Sequence, residues 1–305
     1  MGARMVGTTE PPSPGPSPRG NWKRWGSADE RGTVNLITPA ITAKAASLVK
    51  NGRVYSLGLP IEHNALNTPS FRERVAPMHA VFAKRRQDGS GSADDYILLN
   101  THALTHIDSV AHDWSEGQLY NGFDANTITS MGAEKCGIDK VGPIVTRGVL
   151  LDMARFKGVK SLQRGEAIGR SDILSCAQSE NVELQPGDAV LIRTGYLGTF
   201  TKEKELEFFS GAPGIGRSAI ALFDEIEPAV IGTDTPYLEV EPCEDTGRLS
   251  WPIHLELIWK RGASLIELLN LDYLSNDAVK EFLFVAAPLN IKNGLGSPIN
   301  PVAIC

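Results

Sequence analysis

The segment His102-Ala-Leu-Thr-His106-Ile-Asp108-Ser-Val-Ala-His112 restricts the fold of this chain more than any other stretch. It holds three of the six histidines and an aspartate. Imidazoles and carboxylates are the donors that divalent transition metals select. Spacing then sets the local shape. In a straight strand, at roughly 3.3 Å per residue, His102 and His106 would stand about 13 Å apart. Two ligands of one ion must each approach it to about 2 Å, so the chain must turn between them. A helix would put both histidines on one face but point Asp108 away from His106. An extended His106/Asp108 pair puts both side chains on one side. The segment therefore reads as a turn followed by a short extended stretch. His112, four residues beyond Asp108, can overhang a bound ion. The apolar run Tyr96-Ile-Leu-Leu-Asn100 leads straight into the histidines and reads as a buried strand.

The surrounding pattern is mixed. Thr38-Pro39 is a helix start, a capping hydroxyl followed by proline at the first helical position; the helix ends at Asn51-Gly52. Ser171 caps a predicted helix to about Ser179, and further helices are expected over Ser218–Ile226 and His254–Lys260. Strands are expected over Arg53–Leu59, Gly148–Met153, Ala189–Arg193, Ala229–Gly232, Ser264–Leu269 and Glu281–Ala287. Strands outnumber helices in mixed order, which predicts an α/β or α+β fold with one main domain over residues 21–305. Residues 1–20 read as a disordered Pro-rich tail.

Composition narrows the function. With 42% hydrophobic and 22% charged residues, 305 residues suffice for a core without disulfides. Cys136, Cys176, Cys243 and Cys305 are far apart, so neither a disulfide framework nor a cysteine zinc site is expected. They read as free thiols in a reducing cytoplasm. The net charge is −6, with no basic cluster interleaved with aromatics, which argues against nucleic acid. The chain shows neither an apolar signal region nor a run long enough to span a membrane. Gly211-Ala-Pro-Gly-Ile-Gly216 lacks the Gly-Lys-Ser/Thr of a phosphate loop and reads as a substrate-side loop or plain turn. No Gly-x-Ser-x-Gly elbow of a serine hydrolase occurs. Trp22, Trp25 and Trp114 are equally suited to a pocket, the core or an interface. His63 and His79 read as ordinary histidines. Glu267 sits inside an apolar strand, and a buried carboxylate needs a partner.

The histidine segment resembles the signature His-x-Gly-Thr-His-x-Asp-x-Pro-x-His of the metal-dependent cyclase family, which includes bacterial kynurenine formamidases and isatin hydrolases. It matches at His102, Thr105, His106, Asp108 and His112, and departs at Leu104 (Gly in the family) and Val110 (often Pro). Similar stretches are Asn21–Glu30, Tyr120–Gly122, Gly142–Asp152, Gly187–Gly195, Gly232–Pro236 and Leu265–Leu271, where Leu268 departs from the family's Glu-Asn-Leu. The resemblance implies a swivelling β/β/α domain and a homo-oligomer, dimer or tetramer. It implies one metal on His102, His106 and Asp108, with Asp108 bridging to a second on His254 and Glu267. The metal, one or two ions, would be zinc or manganese, and His112 would be the general acid/base. The implied reaction is hydrolysis of a small-molecule amide, lactam or lactone. A ring-closing or dehydrating reaction at the same site, or a non-catalytic metal-binding role, are the alternatives. If Leu104 faces the pocket the substrate changes; if it faces the core, little does.

Overall fold

In a computed structural model, residues 20–62, 75–244 and 251–305 are described. The expected tail, up to residue 19, and His63 lie outside them. A nine-stranded sheet organises the chain. Its order is Val54–Ser56, Val302–Ile304, Glu281–Ala286, Ile144–Asp152, Ala189–Arg193, Val230–Thr233, Ser264–Glu267, His106–Asp108, Gly296–Pro298. The four strands from Ile144–Asp152 to Ser264–Glu267 run parallel, and the flanking strands pair antiparallel. This is the mixed α/β architecture read from the sequence.

The parallel strands are near-continuous apolar runs because both of their faces are covered. Strand alternation divides them between two cores. Val149, Leu151, Val190, Ile192, Ile231 and Leu265 enter one cluster with the helices Arg170–Ser179 and Ile220–Ile226. Leu150, Leu191, Val230 and Ile266 enter the other with Phe282 and Phe284. Each fully buried aliphatic side chain contributes about 1.5–3 kcal/mol, so the parallel block contributes strongly to the core. Its carboxyl ends are where open α/β sheets place ligand sites.

Local signals set the helices. Thr38 accepts from the Ile41 amide at 3.2 Å and starts the helix Pro39–Ala46. The cap expected at Ser171 falls elsewhere. Gly169 is the N-cap, and the Asp172 carboxylate accepts from its amide at 2.8 Å. A carboxylate one turn into the helix reaches back to the entering amide, which the hydroxyl of Ser171, already inside the helix, does not. The run Tyr96–Asn100 is also corrected. It belongs to an antiparallel hairpin, Met78–Arg85 with Gly91–Leu98, separate from the main sheet. Tyr96, Ile97 and Leu98 are exposed there, as are Val81 and Phe82. A short apolar run looks the same whether its cover comes from its own core or from elsewhere. Among the described residues no helix is long and apolar enough to cross a membrane.

Candidate metal centre

The turn demanded by the histidine spacing is present. The chain bends through residues 101–105 and then extends as the strand His106–Asp108. His106 pairs in register with Glu267 on one neighbouring strand, and Asp108 pairs with Gly296 on the other. Residues i and i+2 of a strand share a face, and direct cross-strand partners share it too. His106, Asp108 and Glu267 therefore converge, all buried. His106 Nε2 lies 3.4 Å from Glu267 Oε2 and 3.6 Å from Asp108 Oδ1. Its Nδ1 donates to the Leu104 carbonyl at 2.9 Å. A carbonyl only accepts, so Nδ1 carries the proton and the Nε2 lone pair faces the carboxylates.

His102 reaches the same carboxylate from the turn, with Nε2 3.3 Å from Asp108 Oδ1. Gly296 makes room for it: a Cβ there would meet His102 Nε2 at 2.5 Å. His112 stacks on His102 with centroids 4.1 Å apart and is half-buried. His254 lies where the turn Pro252–His254 passes into the wider π-helix Leu255–Lys260. Its Nε2 stands 3.2 Å from Glu267 Oε1. All six residues singled out in the sequence thus meet at one place. Five of them form two overlapping donor triads, His102/Asp108/His112 and His106/Asp108/Glu267, which share Asp108, and His254 adjoins the second through Glu267. The first includes His112, so proximity alone permits it to be a ligand as well as a proton carrier.

The donor set fits a divalent metal. Among the described residues, Asp108 Oδ1 is buried and accepts no hydrogen bond, although two imidazole Nε2 atoms face it. Lone pairs aimed at one another need a cation or protons between them. Without an ion, protons take that place. Burial pushes the Asp108 carboxyl up to about 7, against the pull of His106. Burial disfavours charge on His106 and His254, yet their carboxylate neighbours raise both. Burial would raise Glu267 too, but bonds from His106 and His254 hold it below the usual carboxylate range. An ion binding here would displace protons.

The turns that present these residues share a feature. Leu104, Trp251 and Leu268 all have left-handed backbone, with φ of 56°, 63° and 55°. Each lies within three residues of a candidate ligand. Positive φ at Leu104 explains why the family signature has glycine there. The leucine faces the core: Leu104 and Leu268 are buried with Tyr196, Phe208 and Tyr237, and Trp251 packs on the same cluster. The Thr105 hydroxyl ties two of these turns, donating to the Leu268 carbonyl at 2.5 Å and accepting from the Leu59 amide at 2.8 Å.

Several stretches noted in the sequence are framework. Trp22 packs edge-on to Trp259 and donates to its carbonyl at 2.7 Å, while Asn21 donates to the Arg261 carbonyl at 3.0 Å. Asn121 holds this N-terminal segment through the carbonyls of Gly26 and Asp29. Arg24 lies over the Trp25 ring, and Trp114 is exposed. Asp234, buried and pushed up to about 6 by burial, accepts from the Thr194 amide and hydroxyl and the Gly195 amide. His79 pairs with Asp95 across the exposed hairpin. The Gly211–Gly216 stretch, read as a substrate-side loop or plain turn, is buried and lies against Leu238–Glu241.

Sequence reasoning missed Gly296 and Glu239, a fully buried carboxylate beside His254. Glu239 carried the same signal as Glu267, an acid between apolar neighbours, Leu238 and Val240. Nothing in the sequence marked Gly296.

Comparison with known proteins decides the family. The Cyclase family model matches residues 25–240. The chain belongs to the cyclase family. A crystal structure described as a novel cyclase superposes with TM-score 0.85 at 33% identity, covering 93% of this chain and 99% of that one. An isatin hydrolase from Roseibium aggregatum is 23% identical over 224 residues, 71% of this chain and 76% of its own length. A structure described as a potential metal-dependent hydrolase with cyclase activity shares the fold, with TM-score 0.52 at 19% identity over 82% of this chain and 98% of that one. The family match ends at residue 240, so His254 and Glu267 lie beyond it; the 33%-identical cyclase structure covers nearly the whole chain.

Proposed function

We propose that this cyclase-family chain is a metal-dependent hydrolase that opens an amide, lactam or lactone. The observation that carries the reading is the convergence of His102, His106 and His254, each through Nε2, on the buried carboxylates of Asp108 and Glu267. The overlapping triads suit one or two ions of zinc or manganese. An ion held there supplies an activated water and a polarised carbonyl. His112, at the rim beside His102, takes the proton of the attacking water and returns it to the leaving nitrogen or oxygen. The packed cluster around Leu104, Tyr237 and Trp251 keeps one side of the centre dry, which strengthens the electrostatic contacts made there. The relative named isatin hydrolase supports a carbonyl in an amide or cyclic amide as the point of attack.

His112→Ala separates the two roles open to this histidine. Loss of about 10²–10⁴-fold in turnover with metal content unchanged is expected for a general acid/base. Turnover equal to the parent's would defeat the assignment, and loss of metal would make His112 a ligand. The screen uses formamides, lactams and lactones, with metal measured by elemental analysis. Product analysis distinguishes hydrolysis from ring closure or dehydration.

A further inference from the structure

Glu239 is the most deeply enclosed carboxylate near the centre, with 0% exposure, and the hydrolytic reading leaves it without a task. Its Oε2 accepts from the Ile253 amide at 2.5 Å and the His254 amide at 3.3 Å, closing the start of the turn that carries His254. Its Oε1 faces His254 Nδ1 at 3.4 Å, and among the described residues neither atom makes a hydrogen bond with any other group. The opposite ring nitrogen of His254 faces Glu267. The preceding residue completes the arrangement: the Leu238 amide donates to Glu267 Oε1 at 2.7 Å. Residues 238 and 239 thus hold both candidate ligands that come from outside the histidine segment.

The glycine-rich stretch explains how this dipeptide is fixed. The Ile215 amide donates to the Leu238 carbonyl at 2.9 Å, and the Val240 amide to the Ile215 carbonyl at 3.1 Å. Gly214 permits the approach, because a Cβ there would lie 2.4 Å from the Glu239 carbonyl carbon. Trp251 also contacts the His254 ring, with centroids 5.6 Å apart in an edge arrangement.

We infer that Glu239 is a positioning residue: it accepts the Nδ1 proton of His254 and so commits Nε2, with its lone pair, to the metal centre. The inference rests on the reading of this cluster as a metal centre. Outer carboxylates that orient a ligating histidine act in this way, and their loss weakens metal binding about 10–100-fold.

Glu239→Gln tests it with nearly unchanged shape. The amide oxygen can still accept from Ile253 and His254, but the NH₂ group then faces Nδ1 and favours the proton on Nε2, where it blocks a ligand. Zinc affinity by chelator competition is expected to fall about 10–100-fold, with partial recovery in Glu239→Asp. Imidazole ¹⁵N spectra of the zinc-loaded parent, with His254 assigned by His254→Gln, are expected to show a proton on Nδ1 and none on Nε2. If the parent shows the reverse, or if Glu239→Gln binds zinc as the parent does, the inference falls. A parent spectrum without a proton on Nδ1 would overturn the inference even if the variant fails to fold. A folded parent that takes up no zinc or manganese would instead defeat the metal reading itself, and the inference with it.

Discussion

At the residue scale, Leu104 sets two opposing effects against each other. A left-handed leucine costs about 1–3 kcal/mol of backbone strain. Its buried side chain fills the cluster with Tyr196, Phe208 and Leu268, and emptying such a site costs about 2–5 kcal/mol. The cavity outweighs the strain. Leu104→Gly, although it restores the family residue, is expected to lose about 1–3 kcal/mol in urea unfolding while still binding metal. A gain in stability would show that strain dominates. Proton competition is the second residue-scale effect. Asp108 holds its proton up to about pH 7, and raised values at His106 and His254 extend the competition upward. The proton leaves before the metal enters, so apparent affinity should rise with pH across neutrality, about tenfold per unit for each proton displaced. Calorimetric titration at several pH values checks this, and an affinity flat from pH 6 to 8 would contradict it.

At the element scale, the hairpin Met78–Leu98 stands out. A two-stranded ribbon alone is marginal in water, and this one exposes Val81, Phe82, Tyr96, Ile97 and Leu98. Met78 faces Leu98, Ala80 faces Tyr96 and Phe82 faces Asp94 across the ribbon, so Met78, Ala80, Phe82, Tyr96 and Leu98 form an apolar patch on one face, bordered by Lys84, Ser92 and Asp94. Its second strand ends at Leu98, four residues before His102. We propose that a second copy of the chain covers this face in a homo-oligomer. Phe82→Glu with Tyr96→Glu should shift the mass measured by light scattering from oligomer to monomer, with the circular-dichroism spectrum retained. A parent that is monomeric at micromolar concentration would refute the proposal.

At the scale of the whole molecule, the parallel block supplies strands covered on both faces, and its antiparallel edge supplies most of the candidate ligands. Glu267 ends the last parallel strand, and His106–Asp108 docks against it in the opposite direction. Ligands therefore come from one local segment and from two elements more than 140 residues further along the chain. The N-terminal segment around Trp22 braces the π-helix that follows His254. The sheet thus couples the centre to distant parts of the chain through packing rather than through nearness in sequence.

The sequence by itself determined the histidine segment's shape, because ligand reach and strand rise leave few geometries for His102, His106 and Asp108. It placed the strands Gly148–Met153, Ala189–Arg193, Ala229–Gly232 and Ser264–Leu269 as well, since short apolar runs bounded by turns read as strands, but their parallel pairing came only from the fold. It also marked Glu267, since an acid in an apolar strand needs a partner. Only the tertiary structure decided where the exposed hairpin lies, that Leu104 faces the core, and that Glu239 and Gly296 stand beside His254 and His102. Those facts depend on which strands become neighbours, and pairing between residues far apart in the chain leaves no period or spacing in the sequence to read.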